Sequence, residues 1–185
     1  MKMGRFRRAF IAIAAAGVAL LALGAGQSFA AKPSFTETYN IPQQACNGLN
    51  LAGVTYSFTV AGAPSSDCQA GTNLGPGTTN NIEPPNIEGN AEGALTMTFA
   101  HPTTIVGFGF ALSTGTPQPN GVTVELFGPG RSGLRRVVPA NAEPDPVFVG
   151  GRFNYRGAAI SRVTVSFAGA ERFAIDNLTY FRGGA

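Results

Sequence analysis

The 185-residue chain has no tryptophan, one histidine and two cysteines, and only 12% of its residues are charged. Each scarcity removes a class of chemistry. With His101 as the sole imidazole, and no third thiol beside Cys46 and Cys68, a zinc site or a Cys–His nucleophile lacks its parts. His101-Pro102 falls between two apolar alternations, so it reads as a surface turn and not as a catalytic base. Neither G-x-S-x-G nor G-x-x-x-x-G-K occurs, which leaves no nucleophile elbow and no phosphate-binding loop. Gly128-Pro129-Gly130 is turn chemistry. A glycosidase pair of carboxylates stays open on paper through Glu125, Glu143 and Asp145, although Glu125 lies on the polar face of its strand and Glu143-Pro144-Asp145-Pro146 reads as a turn.

Long apolar runs are equally scarce. The one present, residues 9–24, is shorter than the roughly 20 residues a membrane span needs. Lys2, Arg5, Arg7 and Arg8 precede it and Ser28-Phe29-Ala30 follows it, which is the layout of a secretory signal peptide over residues 1–30. The expectation is export with cleavage near Ala30, to the periplasm or outside the cell, and no membrane span afterwards. Those four basic residues are part of the chain's 13, whereas all ten acids lie beyond residue 30, so the remainder holds nine basic residues against ten acids, a net −1. The charge is unevenly spread: residues 31–110 carry Lys32 against five acids, residues 111–185 eight arginines against five acids. Those arginines are interleaved with Glu125, Glu143, Asp145, Glu171 and Asp176, which argues against the concentrated basic face of a nucleic-acid binder.

About 155 residues past the signal suffice for one domain, residues 31–185, with a sizeable core. Both cysteines fall in the exported part, where an oxidising environment favours a Cys46–Cys68 disulfide. Helical periodicity is absent there, and alternation takes its place. Val54, Tyr56, Phe58 and Val60 share one face, with Thr55, Ser57 and Thr59 on the other; Leu95, Met97 and Phe99 repeat the design against Thr96 and Thr98. Val106, Phe108, Phe110 and Leu112 stand opposite Gly107 and Gly109, where the missing side chains point to a bend or the close approach of another backbone. Residues 122–127, 134–138, 146–149 and 163–167 continue the series, and 128–133 reads as a hairpin loop. Many short strands punctuated by 25 Gly and 13 Pro predict an all-β sandwich or barrel, with the 14 phenylalanines mostly in its core. Residues 61–93, rich in Gly, Pro, Asn and Ser, resist assignment and read as a solvated connector or an ion- or ligand-binding loop. In the last alternating segment, RFAIDNLTYF, the apolar phase slips between Ile175 and Leu178, with Asp176 and Asn177 at the slip.

The succession PTTIVGFGF, GVTVELFGPG and FVGGRFNYRGAAISRVTVSFAGAERFAIDNLTYF resembles a domain common in exported bacterial proteins, including many PEP-CTERM-type surface proteins. The resemblance covers residues 94–181 and extends weakly to 52–58 and 35–39. It implies a galactose-binding-like jelly-roll sandwich of two antiparallel sheets, a fold used by many carbohydrate-binding modules. The expected function is a non-catalytic binding or structural module of the cell envelope or extracellular space, with polysaccharide or an envelope or matrix component as partner. An adhesive protein with a protein partner, or a hydrolase, are the alternatives. Ligand contacts are expected from Glu83, Asn86 and Glu88 in the long loop and from Arg152, Asn154, Tyr155 and Arg156. With no tryptophan to stack on sugars, tyrosines would have to serve. The resemblance also implies a structural Ca²⁺ where the first and last strands meet, at Glu37 and Asp176, completed by other oxygens; its rival is an Asp176 satisfied by backbone amides at a β-bulge. The chain ends Arg-Gly-Gly-Ala with neither a V-P-E-P motif nor a second apolar segment, so a soluble, periplasmic or released protein is expected.

Overall fold

The structure, a computed structural model, describes residues 34–76, 78–129, 133–142 and 148–181. The proposed signal peptide and the Glu143–Pro146 turn lie outside the described residues. Every regular element among the described residues is a strand: β1 (Ser34–Glu37), β2 (Gln44–Ala45), β3 (Asn50–Leu51), β4 (Val54–Val60), β5 (Ala63–Pro64), β6 (Cys68–Thr72), β7 (Asn86–Asn90), β8 (Gly93–Leu112), β9 (Gln118–Phe127), β10 (Leu134–Ala142), β11 (Val149–Phe167) and β12 (Arg172–Phe181). All pairings are antiparallel.

Two strands are far longer than their alternations suggested. The segments around Leu95–Phe99 and Val106–Leu112 form one 20-residue strand, and those around Val149 and Val163–Phe167 form one of 19 residues. Each changes partners midway. Over Ala94–Phe99, β8 lies between β4 and the second half of β11; over Thr103–Leu112 it lies between β12 and the first half of β11. The change falls at Ala100-His101-Pro102, all exposed, and in β11 between Arg156 and Arg162, where the register slips twice. His101-Pro102 is therefore no turn, as its spacing suggested, but the point at which a continuous strand leaves one layer for the other. Proline is tolerated there because an irregular pairing asks less of its missing N–H.

The result is a continuous ladder folded into two layers. The front layer runs β10–β9–β11–β8–β4, using the second half of β11 and the first of β8, and the back layer runs β11–β8–β12–β7–β6–β2. Aromatic side chains join the layers through the core. Phe173 of the back layer stacks on Phe167 of the front, ring centroids 3.9 Å apart, and meets Phe58 at 5.9 Å. Phe99 reaches Tyr180 at 5.4 Å. Each such pair adds about 1 kcal/mol beyond the area it buries. The predicted alternation is obeyed where a strand has solvent on one side: in β4, Val54, Tyr56 and Phe58 are buried while Thr55 and Ser57 are exposed.

Cys46 and Cys68 form the expected disulfide, Cα atoms 5.4 Å apart, and both are buried beside Ala70 and Ile87 at the free end of the back layer. The bond holds the two-residue β2 against β6, a pairing of only Gln44 with Ala70 and Ala45 with Gln69. Closing a loop of this size restricts the unfolded chain by about 3 kcal/mol in the entropy model. Urea unfolding of a Cys46→Ser/Cys68→Ser double variant should show a loss of about that size, and an unchanged midpoint would mean that the bond adds nothing.

Candidate binding site

Two clefts hold the residues that the sequence singled out, and their chemistry differs. The first is built on β12. Its ladder with β8 pairs Asp176 with Gly109 and then Thr179 with Gly107, three residues against two, so the slip in apolar phase is a β-bulge. Asn177 takes the left-handed conformation at the bulge (φ 55°), which asparagine tolerates better than most residues. The bulge turns the Asp176 carboxylate to meet three N–H donors. Oδ1 accepts from the Asn177 amide (2.6 Å), and Oδ2 accepts from the Glu83 amide (3.0 Å) and Asn177 Nδ2 (3.1 Å).

Through the Glu83 amide this carboxylate fastens the segment 73–85, between β6 and β7, across the outer face of the back layer. Ile82, 1% exposed, packs on Ala111 and Ala174, and the Asn81 carbonyl lies so close over Gly109 that a Cβ there would collide with it. Asn177 Nδ2 also reaches the Asn81 carbonyl (3.4 Å), and the turn beneath is closed by the Thr79 amide on the Ile82 carbonyl (2.9 Å). The long segment read as a solvated connector or ligand loop is thus shorter than it looked, since β6 and β7 lie within it, and what remains is a strap packed on the sheet. The close approach predicted at Gly107 and Gly109 is met at Gly109 by the strap's own backbone.

Around this strap lies a cleft of about 310 Å³ lined by Thr38, Asn40, Glu83, Pro84, Pro85, Asp176 and Asn177. Asp176 is 1% exposed, and burial raises its pKa above the ordinary aspartate value; the Glu83 and Asn177 amides oppose that rise, and the nearby charges of Glu83 and Glu37 reinforce it. The calcium expected at Glu37 and Asp176 does not fit these donors. Asp176 already accepts three N–H bonds, Glu37 Oε1 accepts the Tyr39 amide (3.0 Å), and among the described residues no three His, Cys, Asp or Glu side chains gather as a metal site. Ca²⁺ needs six to eight oxygens. The bulge reading of Asp176 is the one that the geometry supports.

Glu88 and Asn86, expected to face a ligand, face inward. Glu88 is 4% exposed and accepts Arg172 Nε (2.8 Å), while Arg172 Nη1 reaches Asp67 Oδ1 (2.5 Å), so the trio clamps the start of β12 to β7 and the turn before β6. Asn86 is fully buried, with neither its amide nitrogen nor its oxygen paired within the protein. Of the three, only Glu83 is exposed.

The second cleft gathers all four residues expected from the other cluster. Arg152, Asn154, Tyr155 and Arg156 line about 320 Å³ together with Phe153 and with Arg136, Val137 and Val138 of β10. Its shape follows from strand pairing. β10 and β11 are hydrogen-bonded only at Asn141–Gly150 and Ala142–Val149; beyond that point β10 stays with β9 in the front layer while the first half of β11 follows β8 into the back layer. Two strand edges, 134–138 and 152–156, therefore diverge with no pairing across the gap. Arg136 was missed by the sequence reading. It pairs with Val124, so it lies on the side of the ladder that carries the buried Val122, Val124 and Leu126, yet it is itself exposed, a charge on an edge strand. The signal was present as an arginine in the apolar phase of LRRVV.

Arg152, Asn154 and Arg156 alternate along β11 and share one face, and Arg152 Nε donates to Asn154 Oδ1 (3.4 Å). Tyr155 donates its hydroxyl to the Ala158 carbonyl (2.8 Å), which holds its half-buried ring at the cleft. No carboxylate lines this cleft, and among the described residues the only salt bridges are those of Arg172. Leu134 and Val137, 44% and 47% exposed, extend an apolar strip along β10.

No family model matches the chain, and no curated protein does. Among solved structures, the K2 cleaved adhesin domain of Lys-gingipain aligns with a TM-score of 0.52 and 12% identity, over 81% of this chain and 98% of that one. A family 29 carbohydrate-binding module aligns at 0.40 and 12% identity, over 80% of this chain and 91% of that one. The CBM22-1-GH10 modules of a Clostridium thermocellum endo-1,4-beta-D-xylanase, complexed with xylohexaose, align at 0.36 and 10% identity, over 80% and 28% respectively. The first likeness bears on fold alone, and nothing rests on the weaker two. With the antiparallel ladder described above it defines the class: an all-β sandwich of jelly-roll type.

Asp176→Ala should cost about 2 kcal/mol, because it leaves buried amides of Glu83 and Asn177 without an acceptor, and hydrogen exchange should rise selectively over residues 73–85; unaltered exchange there would refute the anchoring role. Added calcium or chelator should leave the unfolding midpoint of the wild type where it is. The raised pKa also has a sign. A carboxyl that holds its proton more tightly folded than unfolded contributes most below the ordinary aspartate range and loses that contribution as pH rises through its folded value. Wild type should therefore lose stability relative to Asp176→Asn as pH rises from about 4, read from parallel urea titrations.

Proposed function

We propose that this chain is an exported, non-catalytic carbohydrate-binding module that takes its ligand along the cleft between β10 and β11. The observation that carries this reading is the cleft itself. Planar guanidinium and amide groups, suited to hydrogen-bonding hydroxyls and ring substituents, stand beside an aromatic ring whose hydroxyl is tethered within the protein. Tyr155 supplies the flat apolar surface that tryptophan would offer elsewhere. Export is supported by the signal-peptide layout of residues 1–30 and by the resemblance to exported surface-protein domains.

Catalysis receives less support. Glycoside hydrolysis needs two carboxyl groups free to act on opposite sides of one bond. Of the carboxylates in the first cleft, Asp176 is engaged by three N–H donors, and Glu125 sits within β9, while its suggested partners Glu143 and Asp145 lie outside the described residues.

One observation favours a second reading. The unpaired edge of β10, with Leu134 and Val137 exposed, is open to strand addition by a protein partner, as an adhesive or matrix protein would require. Affinity electrophoresis through gels containing single polysaccharides separates the two. The wild type should be retarded by at least one of them, and Tyr155→Ala should lose most of that retardation at a temperature where the variant is still folded, some fall in midpoint following from the ring's core packing. Free migration of the wild type through every gel would count against glycan binding and leave the adhesive reading in place.

A further inference from the structure

Resting on that reading of the cleft, we infer that its ligand is an anionic polysaccharide, an extended glycan carrying carboxylate or sulfate groups, held by Arg136, Arg152 and Arg156. Three arginines line one cleft of about 320 Å³, and among the described residues no acidic one lines it with them. Two other described arginines have partners: Arg172 bridges Asp67 and Glu88, and Arg162 lies 4.2 Å over the Phe127 ring. Concentrating cations in one concavity raises the local potential and costs self-repulsion, which a bound anion removes. Guanidinium presents a planar fork that matches carboxylate and sulfate oxygens with paired, charge-assisted hydrogen bonds, so the site selects for the charged substituent and not only for hydroxyls.

The arrangement is linear. Arg152 and Arg156 are four residues apart on one face of β11 with Asn154 between them, a separation of about 13 Å at the usual rise of a strand. Arg136 lies on the other strand edge that lines the cleft. A single small anion meets one or two of these groups; an extended polymer running beside β11 meets all three. Tyr155, on the opposite face of β11 from those arginines, adds a ring to the cleft lining, which suits a sugar backbone and distinguishes the site from a plain patch of charge.

Arg136 has a competing explanation, since a charge on an edge strand also discourages pairing between copies. That role concerns self-association and leaves glycan affinity untouched, so the two readings differ in what they move.

The test is binding of the exported protein, by calorimetry and affinity electrophoresis, to polygalacturonate, to dextran sulfate, and to neutral xylan and dextran as uncharged counterparts. Binding to either anionic polymer should exceed binding to the neutral ones by roughly tenfold or more, and should weaken by a similar factor between about 50 mM and about 500 mM salt. Preference for one polymer over the other identifies carboxylate or sulfate as the recognised group. Arg152→Gln and Arg156→Gln should each weaken binding by roughly tenfold with no change in unfolding midpoint, and Arg136→Gln should do so without changing the oligomeric state. Equal binding of neutral and anionic polymers, insensitive to salt, overturns this inference and leaves the carbohydrate-binding reading standing. Binding to none overturns both. Competition by single-stranded oligonucleotide or inorganic phosphate as effective as by the polymers themselves also overturns it, since the cleft would then be reading charge alone.

Discussion

The architecture depends on β8 and β11 each belonging to both layers. A sheet with this many strands cannot stay flat and keep its apolar face dry, and the ladder solves the problem by folding at two points within its own central strands. At Ala100-His101-Pro102 and between Arg156 and Arg162 the pairing becomes irregular, and beyond those points the same strands face new partners. Phe58, Phe167 and Phe173 can meet in the core only because the layers on either side of the fold are brought face to face. The candidate cleft has the same origin. β10 stays with β9 while the first half of β11 leaves, and the gap between their edges is what the departure opens.

The β12 bulge is the second fixed point. Its extra residue aims the Asp176 carboxylate at the backbone of a distant segment, and that contact with Glu83 closes the outer face of the back layer. The face is built to be covered: Gly109, Ala111 and Ala174 give a shallow floor on which Ile82 and the Asn81 carbonyl can rest. An acid at this position suggests catalysis or a metal, yet it already accepts three hydrogen bonds within the protein. The cost of burying it shows as a raised pKa, which the amide donors reduce without cancelling.

Much of this was legible before any coordinates. Alternation fixes the inward face of β4 and of the first half of β8, since those stretches have solvent on one side and obey the period of two. The disulfide followed from compartment, and the bulge from the phase slip around Asp176-Asn177. The joining of strands was not legible, because Gly and Pro interrupt alternation in the same way whether the chain reverses or changes layers. The strap was hidden too, although Gly-Phe-Gly-Phe-Ala-Leu in β8 and Phe-Ala-Ile in β12 place small or apolar residues on both faces, the pattern of strands buried on both sides. Arg152, Asn154, Tyr155 and Arg156 were found because they are neighbours in sequence; Arg136 needed the register with β9, which no local pattern states.

The charge asymmetry along the sequence acquires a location in the fold. Acids Glu37, Glu83 and Asp176 act on one another around the β12 bulge, and Arg136, Arg152 and Arg156 line the gap between β10 and β11. The two clefts are close in size and opposite in charge, so size cannot decide which one binds. What separates them is how far their polar groups are already engaged. In the acidic cleft Asp176 accepts backbone amides, as Glu37 does nearby, and removing either acceptor strands a donor in the protein itself. In the basic cleft the guanidinium groups have no acidic partner among the described residues, and removing one strands no buried group. A group whose loss harms the fold is structural in the first instance, and a group whose loss harms only an encounter belongs to a binding surface. By that criterion Asp176 is structural, and the exposed arginines of β10 and β11 are the groups left for the proposed binding surface.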